Sequence, residues 1–501
     1  MARGNAVTFL SGRLLSLILL MAFQLLVVRV LPPVEYGRFA IVFAFAVLMQ
    51  TVMSFGVPRL TPKYVGQAGW TLAPRTVRRL VIAILSFRLI ASIAAIIVGL
   101  VVARMLGWID WSEGGYILPA SAYVLVSVLQ VDTDAMALAL GLQQVSRFAL
   151  VGEAALRVIV VAVTAGSALG GRAEPLLWIS TTTGLIAVLV LLISVIVALR
   201  RMPANEAVQR PLDRSEFRSI ALSGHASGMA WFASSPSTIR LIAGRYLGVV
   251  AFAGFSFMQT LAVSFQRYTP GMLVLPFVEP EVMRHYARTG DRSRLEAVLS
   301  LVVKIDLIAI GAAVVGTMIA GESVVSLMTG GRYVAQAYAL PWLLAYLVTM
   351  SAYRAFEIVA VVLNASAALT RTLSLSILWI AAAIWLTPRF GLVVLLICPV
   401  ADSISRLALM QRALASLGVK RAIDLPIVAL LCGLILAFGL GGRAISMALG
   451  LPPLATLGLG TVAGAGFLIV AALVRPLRTT ESELAARGGS IPRALAMVTR
   501  D

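Results

Sequence analysis

The chain has 501 residues, of which 60% are hydrophobic and 13% are charged, and its mean hydropathy is +0.96. Soluble domains carry about 25% charged residues, so this composition excludes a water-soluble fold. The formal net charge of +19 lies in short loops between apolar runs. That distribution encodes membrane topology and does not indicate a nucleic-acid-binding surface.

A membrane-spanning helix needs about 20 apolar residues, and about fourteen windows of this kind follow one another along the chain. The windows lie near 7–31, 38–59, 77–105, 115–140, 143–168, 175–199, 217–243, 249–275, 294–320, 336–364, 369–387, 391–415, 424–441 and 451–475. The first window is longer than the roughly 7–15 apolar residues of a signal-peptide core. We therefore predict an all-α, polytopic membrane protein that retains its first helix.

The basic residues predict the orientation of the chain, because cytoplasmic loops retain more Lys and Arg than exported loops do. With a cytoplasmic N-terminus, most of the Lys and Arg residues fall in cytoplasmic segments. The richest of these segments are 59–79, 200–218, 284–294, 412–421 and the tail after residue 474. An even number of helices then predicts that both termini are cytoplasmic.

The second half of the chain echoes the first half. At one constant offset Ser11-Gly12 matches Ser227-Gly228 and Arg29 matches Arg245, and at a slightly larger offset Pro58 and Pro62 match Pro276 and Pro280. Six helices separate the repeats, so both enter the membrane in the same direction, an arrangement found in secondary transporters. The predicted order is a six-helix bundle, a cytoplasmic linker, a second six-helix bundle, helices 13 and 14, and a cytoplasmic tail, at 1–199, 200–216, 217–415, 416–475 and 476–501.

Two short motifs carry a family resemblance. Residues 28–39 read VRVLPPVEYGRF, and residues 54–58 read SFGVP. These motifs, the helix count and the stretch at 276–294 resemble bacterial polysaccharide-biosynthesis flippases. Their superfamily, the multidrug/oligosaccharidyl-lipid/polysaccharide exporters, also contains multidrug extruders and the peptidoglycan-precursor flippase.

The resemblance implies an alternating-access transporter in the bacterial inner (plasma) membrane. Its expected substrate is a polyprenyl-pyrophosphate-linked oligosaccharide, which it would move to the outer leaflet for the synthesis of O-antigen, capsule or exopolysaccharide. The expected partners are this lipid, the surrounding membrane lipids, a polysaccharide polymerase and glycosyltransferases. A peptidoglycan-precursor flippase and a cation-coupled drug antiporter are the alternatives of the same class.

Charged residues within the predicted spans are the candidates for function, because such residues usually face a bundle interior or a watery cavity. Four basic residues have no carboxylate at helical spacing, and they are Arg13, Arg88, Arg267 and Lys304. A pyrophosphate would bind such cations, so we predict that these four line the substrate path. The alternatives are snorkelling to the headgroups and pairing with another helix.

Three further basic residues have an acidic neighbour three or four positions away, on the same helical face. The pairs are Glu153 with Arg157, Arg354 with Glu357, and Asp402 with Arg406. Structural ion pairs within the bundles are the simpler interpretation. Arg157, Arg354 and Arg406 are therefore secondary candidates for the substrate path.

Asp132 and Asp134 are candidates for proton or sodium coupling, because burial can raise the pKa of a carboxyl group. The sequence offers no basis for choosing between the two, and one of them could instead pair with a neighbouring arginine. Gly460 and Gly464 on the last helix allow close helix approach. We predict that they serve packing, with a dimer interface as the alternative.

No motif for enzyme chemistry is recognisable. Lys63, Lys304 and Lys420 each lack the Gly-Lys-Ser/Thr context of a phosphate-binding loop, and the two histidines and two cysteines form no metal motif. We therefore predict no cofactor, no metal and no enzymatic activity. A membrane polysaccharide polymerase or glycosyltransferase is the alternative of another class, and it is disfavoured because no large external loop is present.

Overall fold

A computed structural model of the chain describes most of the sequence. The described residues are 3–65, 74–105, 115–164, 171–201, 214–233, 235–266, 269, 286, 289–363, 365–419, 423–474, 476–478 and 499–500. They form two compact units, Met1–Ala253 and Gly254–Asp501. The predicted bundle boundaries at 199 and 217 stay a prediction.

Unit 1 is built from long apolar helices that correspond to the first seven predicted windows. Its helices are α1 (Arg3–Val30), α2 (Pro33–Val52), α3 (Val57–Leu60) with a π-helical turn (Thr61–Val65), α4 (Pro74–Met105), α5 (Ile117–Ala139), α6 (Gln143–Thr164), α7 (Ala173–Arg201), α8 (Arg214–Ala233) and α9 (Pro236–Tyr246). Helix α5 packs on α2, α4 and α7, and α6 packs on α1 and α7. The apolar core between them includes Val81, Met136 and Leu191.

The seventh predicted window forms two helices instead of one. Proline at position 236 cannot donate a backbone hydrogen bond to the preceding turn, so it ends α8 and begins α9. Ser235 is the N-cap of α9, and its Oγ accepts a hydrogen bond from the backbone N–H of Thr238 at 3.3 Å. The break therefore has its own capping interaction, which stabilises two separate helices at this point.

Unit 2 contains the other seven windows. Its helices are α10 (Val249–Gln266, which begins in unit 1), α11 (Ser293–Thr329), α12 (Ala339–Val362), α13 (Ser366–Phe390), α14 (Leu392–Ser416), α15 (Leu425–Ala448) and α16 (Pro453–Leu473). A 3-10 turn (Val334–Gln336) precedes α12, and a short parallel pair of strands, β1 (Leu477–Arg478) and β2 (Thr499–Arg500), follows α16. Helix α11 packs on α12, α15 and α16.

The composition of these helices confirms the prediction of an all-α, multi-pass membrane protein. Within the described ranges, ten helices are long and apolar enough to cross a membrane, and Ile18–Val30 and Ser374–Phe390 form shorter apolar stretches. Helices satisfy every backbone hydrogen bond internally, which a hydrocarbon environment requires. The cytoplasmic location of both termini stays a prediction.

Glycines hold the last helix against α11. A Cβ atom at Gly460 would lie 3.0 Å from both the Ala320 Cβ and the Gly316 carbonyl oxygen, and one at Gly464 would lie 3.1 Å from the Ala312 carbonyl oxygen. Helices approach this closely only where side chains are missing. These two glycines therefore serve packing within the chain, in agreement with the first of the two sequence interpretations.

Leucine in place of Gly460 is expected to push α16 away from α11. Overpacking of this kind costs about 1–3 kcal/mol, so the purified protein should melt at a lower temperature. Gly458→Leu is the matched control, because nothing lies within 4 Å of a Cβ atom at Gly458. Equal melting temperatures for the two variants would contradict this account of the α11–α16 contact.

Candidate functional site

A buried ion pair joins α4 to α5 in unit 1. The Asp132 carboxylate accepts hydrogen bonds from Arg88 Nε at 2.5 Å and from Arg88 Nη2 at 3.1 Å. Each side chain is 1% exposed. Ile84 and Met136, one helical turn away, belong to the apolar core. Arg88, a candidate for the substrate path, and Asp132, a candidate for ion coupling, are therefore each other's partners.

A second polar cluster in unit 1 surrounds Arg157 on α6. Its Nη2 donates to Glu153, which also accepts from the Gln130 amide of α5. Arg157 Nε lies 3.5 Å from the Thr183 hydroxyl of α7, and the guanidinium lies 5.3 Å from the centre of the Phe23 ring of α1. Arg157 and Glu153 together thus connect α6 to α1, α5 and α7, and the Arg157 side chain is 12% exposed.

Of the three remaining candidates in or next to unit 1, the structure describes the side chain of Asp134 but not those of Arg13 and Arg267. The Asp134 carboxylate accepts a hydrogen bond from the Ser146 hydroxyl at the start of α6 and has no arginine partner of its own in the described ion pairs. Arg13 lies on α1, but its side chain is outside the described part of the structure. Arg267, which follows α10 in the sequence, is also outside it. The roles of Arg13 and Arg267 stay predictions.

In unit 2, α11 contributes two buried charges that point to different helices. Lys304 Nζ lies 3.3 Å from Asp424 Oδ2 at the N-cap of α15. Asp306, two residues along α11, accepts a hydrogen bond from the Ser351 hydroxyl of α12. Both α11 residues have an exposed fraction of 0%. Lys304 therefore binds α15 to α11, and Asp306 binds α12 to it.

Arg406 on α14 forms the centre of a polar cluster between α12, α13 and α14. Its Nη2 lies 3.0 Å from Asp402 Oδ2, and its guanidinium stands 4.4 Å from the centre of the Tyr353 ring. Asp402 Oδ1 also accepts a hydrogen bond from the Ser376 hydroxyl at 2.9 Å. The predicted pair on α14 is present, and an aromatic face and a hydroxyl group complete its surroundings.

Arg354 on α12 differs from the other charged candidates because its side chain is 53% exposed. It pairs with Glu357 at 2.5 Å, and that carboxylate is 23% exposed. Arg354 lies about 12 Å along the helix axis from the last residue, Val362, at 1.5 Å per residue. Arg354 lies within the candidate span Ala339–Ala360, and charged residues within such spans usually face a bundle interior or a water-filled cavity.

The motif that carries the family resemblance has a structural role in unit 1. Glu35, at the first turn of α2, accepts hydrogen bonds from the Tyr116 hydroxyl and from the Ala173 backbone N–H at 2.8 Å. Arg38 pairs with the same carboxylate at 2.5 Å. Glu35 thus holds the beginnings of α2, α5 and α7 together.

A turn between α11 and α12 is fixed against α10 in a similar way. A Cβ atom at Gly254 would lie 3.0 Å from Gln336 Oε1 and 3.2 Å from Tyr333 Cβ. Tyr333 adopts a left-handed backbone conformation with φ 60°. Burial raises the pKa of Tyr333 to about 12, so its phenol stays neutral at physiological pH.

Several polar partners were not predicted from the sequence. Asp424 and Ser351 are far from Lys304 and Asp306 in the chain, and helical spacing gives no signal for such pairs. Arg371, near the start of α13, is exposed. Arg240 on α9 is partly buried and lies within electrostatic reach of the Tyr36 hydroxyl. Both arginines lie inside predicted windows, 217–243 and 369–387, and a charged residue within an apolar window is the sequence signal that identifies them.

No metal centre is visible in the part of the chain that the structure describes, where no group of three or more His, Cys, Asp or Glu residues is placed to hold an ion. The charges form ion pairs, some between two helices, such as Arg88–Asp132 and Lys304–Asp424, and others within one helix, such as Arg354–Glu357.

Solved structures of transporters share this fold. The lipid II flippase MurJ in an inward closed conformation superposes with a TM-score of 0.56 at 13% identity, over 94% of this chain and 99% of that one. A multidrug resistance MATE family transporter of the MOP superfamily, inward-facing, superposes at 0.54 and 14% identity over 82% and 99% of the two chains. MATE in a bent conformation gives 0.54 and 14% over 83% and 96%.

These similarities define the fold alone, since the identities are low. No protein-family model and no curated protein sequence matches the chain. The chain is therefore a multi-pass membrane protein with the fold of the MurJ flippase and the MATE transporters.

Proposed function

We propose that the protein is an alternating-access flippase that moves a polyprenyl-pyrophosphate-linked oligosaccharide from the cytoplasmic to the outer leaflet for polysaccharide synthesis. The observation that carries the proposal is the exposed Arg354 side chain deep within α12, in a fold shared with a lipid II flippase. A guanidinium binds two phosphate oxygens at once. A charge kept exposed at that depth suits an anionic headgroup that passes along the helix.

The electrical driving force agrees with an anionic substrate. Moving one negative charge outward across an inside-negative membrane releases about 2.3 kcal/mol per 100 mV. A pyrophosphate carries more than one negative charge, so the membrane potential favours outward movement. The polyprenyl tail would remain in the lipid, because its transfer into water is unfavourable.

The other candidates have different places in the proposal. Arg157 and Arg406 are secondary contacts, because each retains a carboxylate partner and little exposure. Arg88 and Lys304 could serve the substrate only if they left Asp132 and Asp424. The ion-coupling role of Asp132 or Asp134 is part of the proposal, and a polymerase and glycosyltransferases are its proposed partners.

The experiment that tests the proposal compares substrates in proteoliposomes of the purified protein. A fluorescent polyprenyl-pyrophosphate oligosaccharide, lipid II and a cationic dye are offered separately, and leaflet exchange or dye uptake is measured. We expect the oligosaccharide lipid to move from the inner leaflet to the outer leaflet of the vesicle. This movement should be faster when the vesicle interior is electrically negative relative to the outside. Dye exchange without lipid movement would identify a drug antiporter, and exchange of lipid II alone would identify a peptidoglycan-precursor flippase.

A further inference from the structure

The Arg354–Glu357 pair is open to its surroundings, unlike the buried ion pairs at Lys304 and Arg406. The Arg354 side chain is 53% exposed and the Glu357 side chain is 23% exposed, whereas those of Lys304 and Arg406 are 1% and 2% exposed. Both members of the open pair lie on α12, three residues apart, so the pair connects no two helices. It can therefore separate without separating any helices.

The guanidinium of Arg354 has unused hydrogen-bond donors. Its Nη1 donates to Glu357 Oε2 at 2.5 Å. Within the described part of the chain, no group accepts a hydrogen bond from Nε or Nη2, and no donor reaches Glu357 Oε1. Two neighbouring N–H groups of a guanidinium can bind two phosphate oxygens at once. The edge formed by Nε and Nη2 is therefore available to a ligand while Glu357 stays in place.

A second polar group with a weak partner lies beside the same face of α12. Met350 is one helical turn before Arg354 and is partly exposed. Its Sδ lies 3.6 Å from the side-chain amide nitrogen of Gln266, at the end of α10. A thioether sulfur is a weak acceptor, so the amide can exchange this contact for a phosphate or sugar oxygen at small cost.

Glu357 places a negative charge where the proposed substrate brings its own. Two like unit charges about 4 Å apart repel strongly enough in water to weaken binding about fivefold, and more strongly in the protein interior. An arriving anion must therefore bind against this repulsion or displace the Glu357 carboxylate from Arg354 Nη1. In both cases the carboxylate lowers the affinity for anions.

This loss of affinity differs between headgroups. The phosphate diester of an ordinary phospholipid carries one negative charge, so it can only exchange one ionic contact of Arg354 for another. A pyrophosphate that joins a lipid to a sugar carries two negative charges. Its second phosphate can use the remaining N–H groups of Arg354 and the Gln266 amide. The pair therefore favours the headgroup with the greater charge.

We propose that Glu357 is a selectivity residue, which keeps singly charged phospholipid headgroups from Arg354 and yields to a lipid-linked pyrophosphate. This inference rests on the proposed transport function and adds the residue that distinguishes the substrate from the surrounding membrane lipids. Proteins achieve specificity through repulsion of the wrong ligand as well as through contacts with the right one. After translocation, the carboxylate returns to Arg354 and promotes release of the headgroup.

The test replaces Glu357 by glutamine, which keeps the length of the side chain and removes its charge. Leaflet exchange of a fluorescent phosphatidylglycerol is measured in proteoliposomes of the wild-type and variant proteins. We expect Glu357→Gln to move this phospholipid at least about fivefold faster than the wild type. The gain should disappear in the double variant Arg354→Gln with Glu357→Gln, because it requires the guanidinium. No gain in the single variant, or a gain that persists in the double variant, would overturn the proposal.

Binding to the protein in detergent separates this inference from the proposed function. The probe is farnesyl pyrophosphate, which carries a lipid-linked pyrophosphate without a sugar. We expect its Kd to fall about fivefold or more in Glu357→Gln, whereas Glu357→Asp, which keeps the charge, should bind it as the wild type does. Equal or absent binding in all three proteins would overturn the role of Glu357. The expected binding pattern in a protein that moves no oligosaccharide lipid would retain that role and reject the proposed function.

Discussion

Alanine in place of Asp132 is expected to destabilise the protein by about 3–5 kcal/mol, because it leaves the Arg88 guanidinium buried without its carboxylate. Both side chains are 1% exposed, so water cannot take over the role of Asp132. The measurement is the thermal unfolding of the purified protein in detergent. Unfolding is monitored as the fraction of the protein that remains monodisperse. The expected result is a large fall in melting temperature or a failure to accumulate in the membrane.

The double variant Arg88→Met with Asp132→Leu is the matched control. Replacing both members of a buried ion pair by apolar residues of similar size is often neutral or stabilising, so most of the lost stability should return. A double variant as unstable as Asp132→Ala would show that the pair itself is not what the single change disrupts. The transport rate of the double variant then tests the proposed roles of both residues. Normal transport would show that Arg88 is not needed in the substrate path and that Asp132 is not needed for ion coupling.

Glutamine in place of Arg354 is expected to have the opposite profile, a large loss of transport with little change in stability. A hydrogen bond to a charged group contributes about 1.5–3 kcal/mol, which corresponds to a roughly 10- to 150-fold loss of transport efficiency at low substrate concentration. The ion pair with Glu357 is partly exposed, and surface ion pairs contribute about 0–1 kcal/mol. The oligosaccharide-lipid assay and a melting curve on the same preparation measure the two effects.

Arg443→Gln provides the control for this substitution. Arg443 on α15 is 48% exposed and pairs with Glu322 of α11 at 3.6 Å, so it resembles Arg354 in charge, exposure and pairing but lies near the end of its helix. Transport should be unchanged in this variant, and Arg354→Lys should recover part of the rate because it restores the charge without the two-oxygen geometry. Equal effects of the two glutamine variants would argue against a specific contact at Arg354.

The local charge pairs were predictable, whereas the long-range pairs were not. Glu153 with Arg157 and Asp402 with Arg406 follow from spacing on a single helix, and both pairs are present in the structure. Arg88 and Lys304 had no partner at that spacing. Pairing with a residue of another helix was one of the predicted alternatives. Which carboxylates serve as the partners, Asp132 for Arg88 and Asp424 for Lys304, depends on which helices pack together.

The division of the seventh window has a similar explanation. Hydropathy alone predicts one span from 217 to 243, because the serines and the proline at 233–238 interrupt the apolar run only briefly. The proline signals a kink or an end, but whether a helix bends or stops there depends on what caps the freed backbone groups. The Ser235 hydroxyl provides that cap, and α2 provides the surface on which α9 packs.

The sequence alone was sufficient for the all-α membrane class and for the approximate places of most of the helices. These properties depend on the hydropathy and composition of single helices, because each helix must by itself be long and apolar enough to cross the bilayer. The tertiary structure decided which charges are neutralised, that Arg354 stays exposed, and where glycines bring α16 against α11. Those outcomes depend on packing between segments far apart in the chain, and no local pattern contains that information.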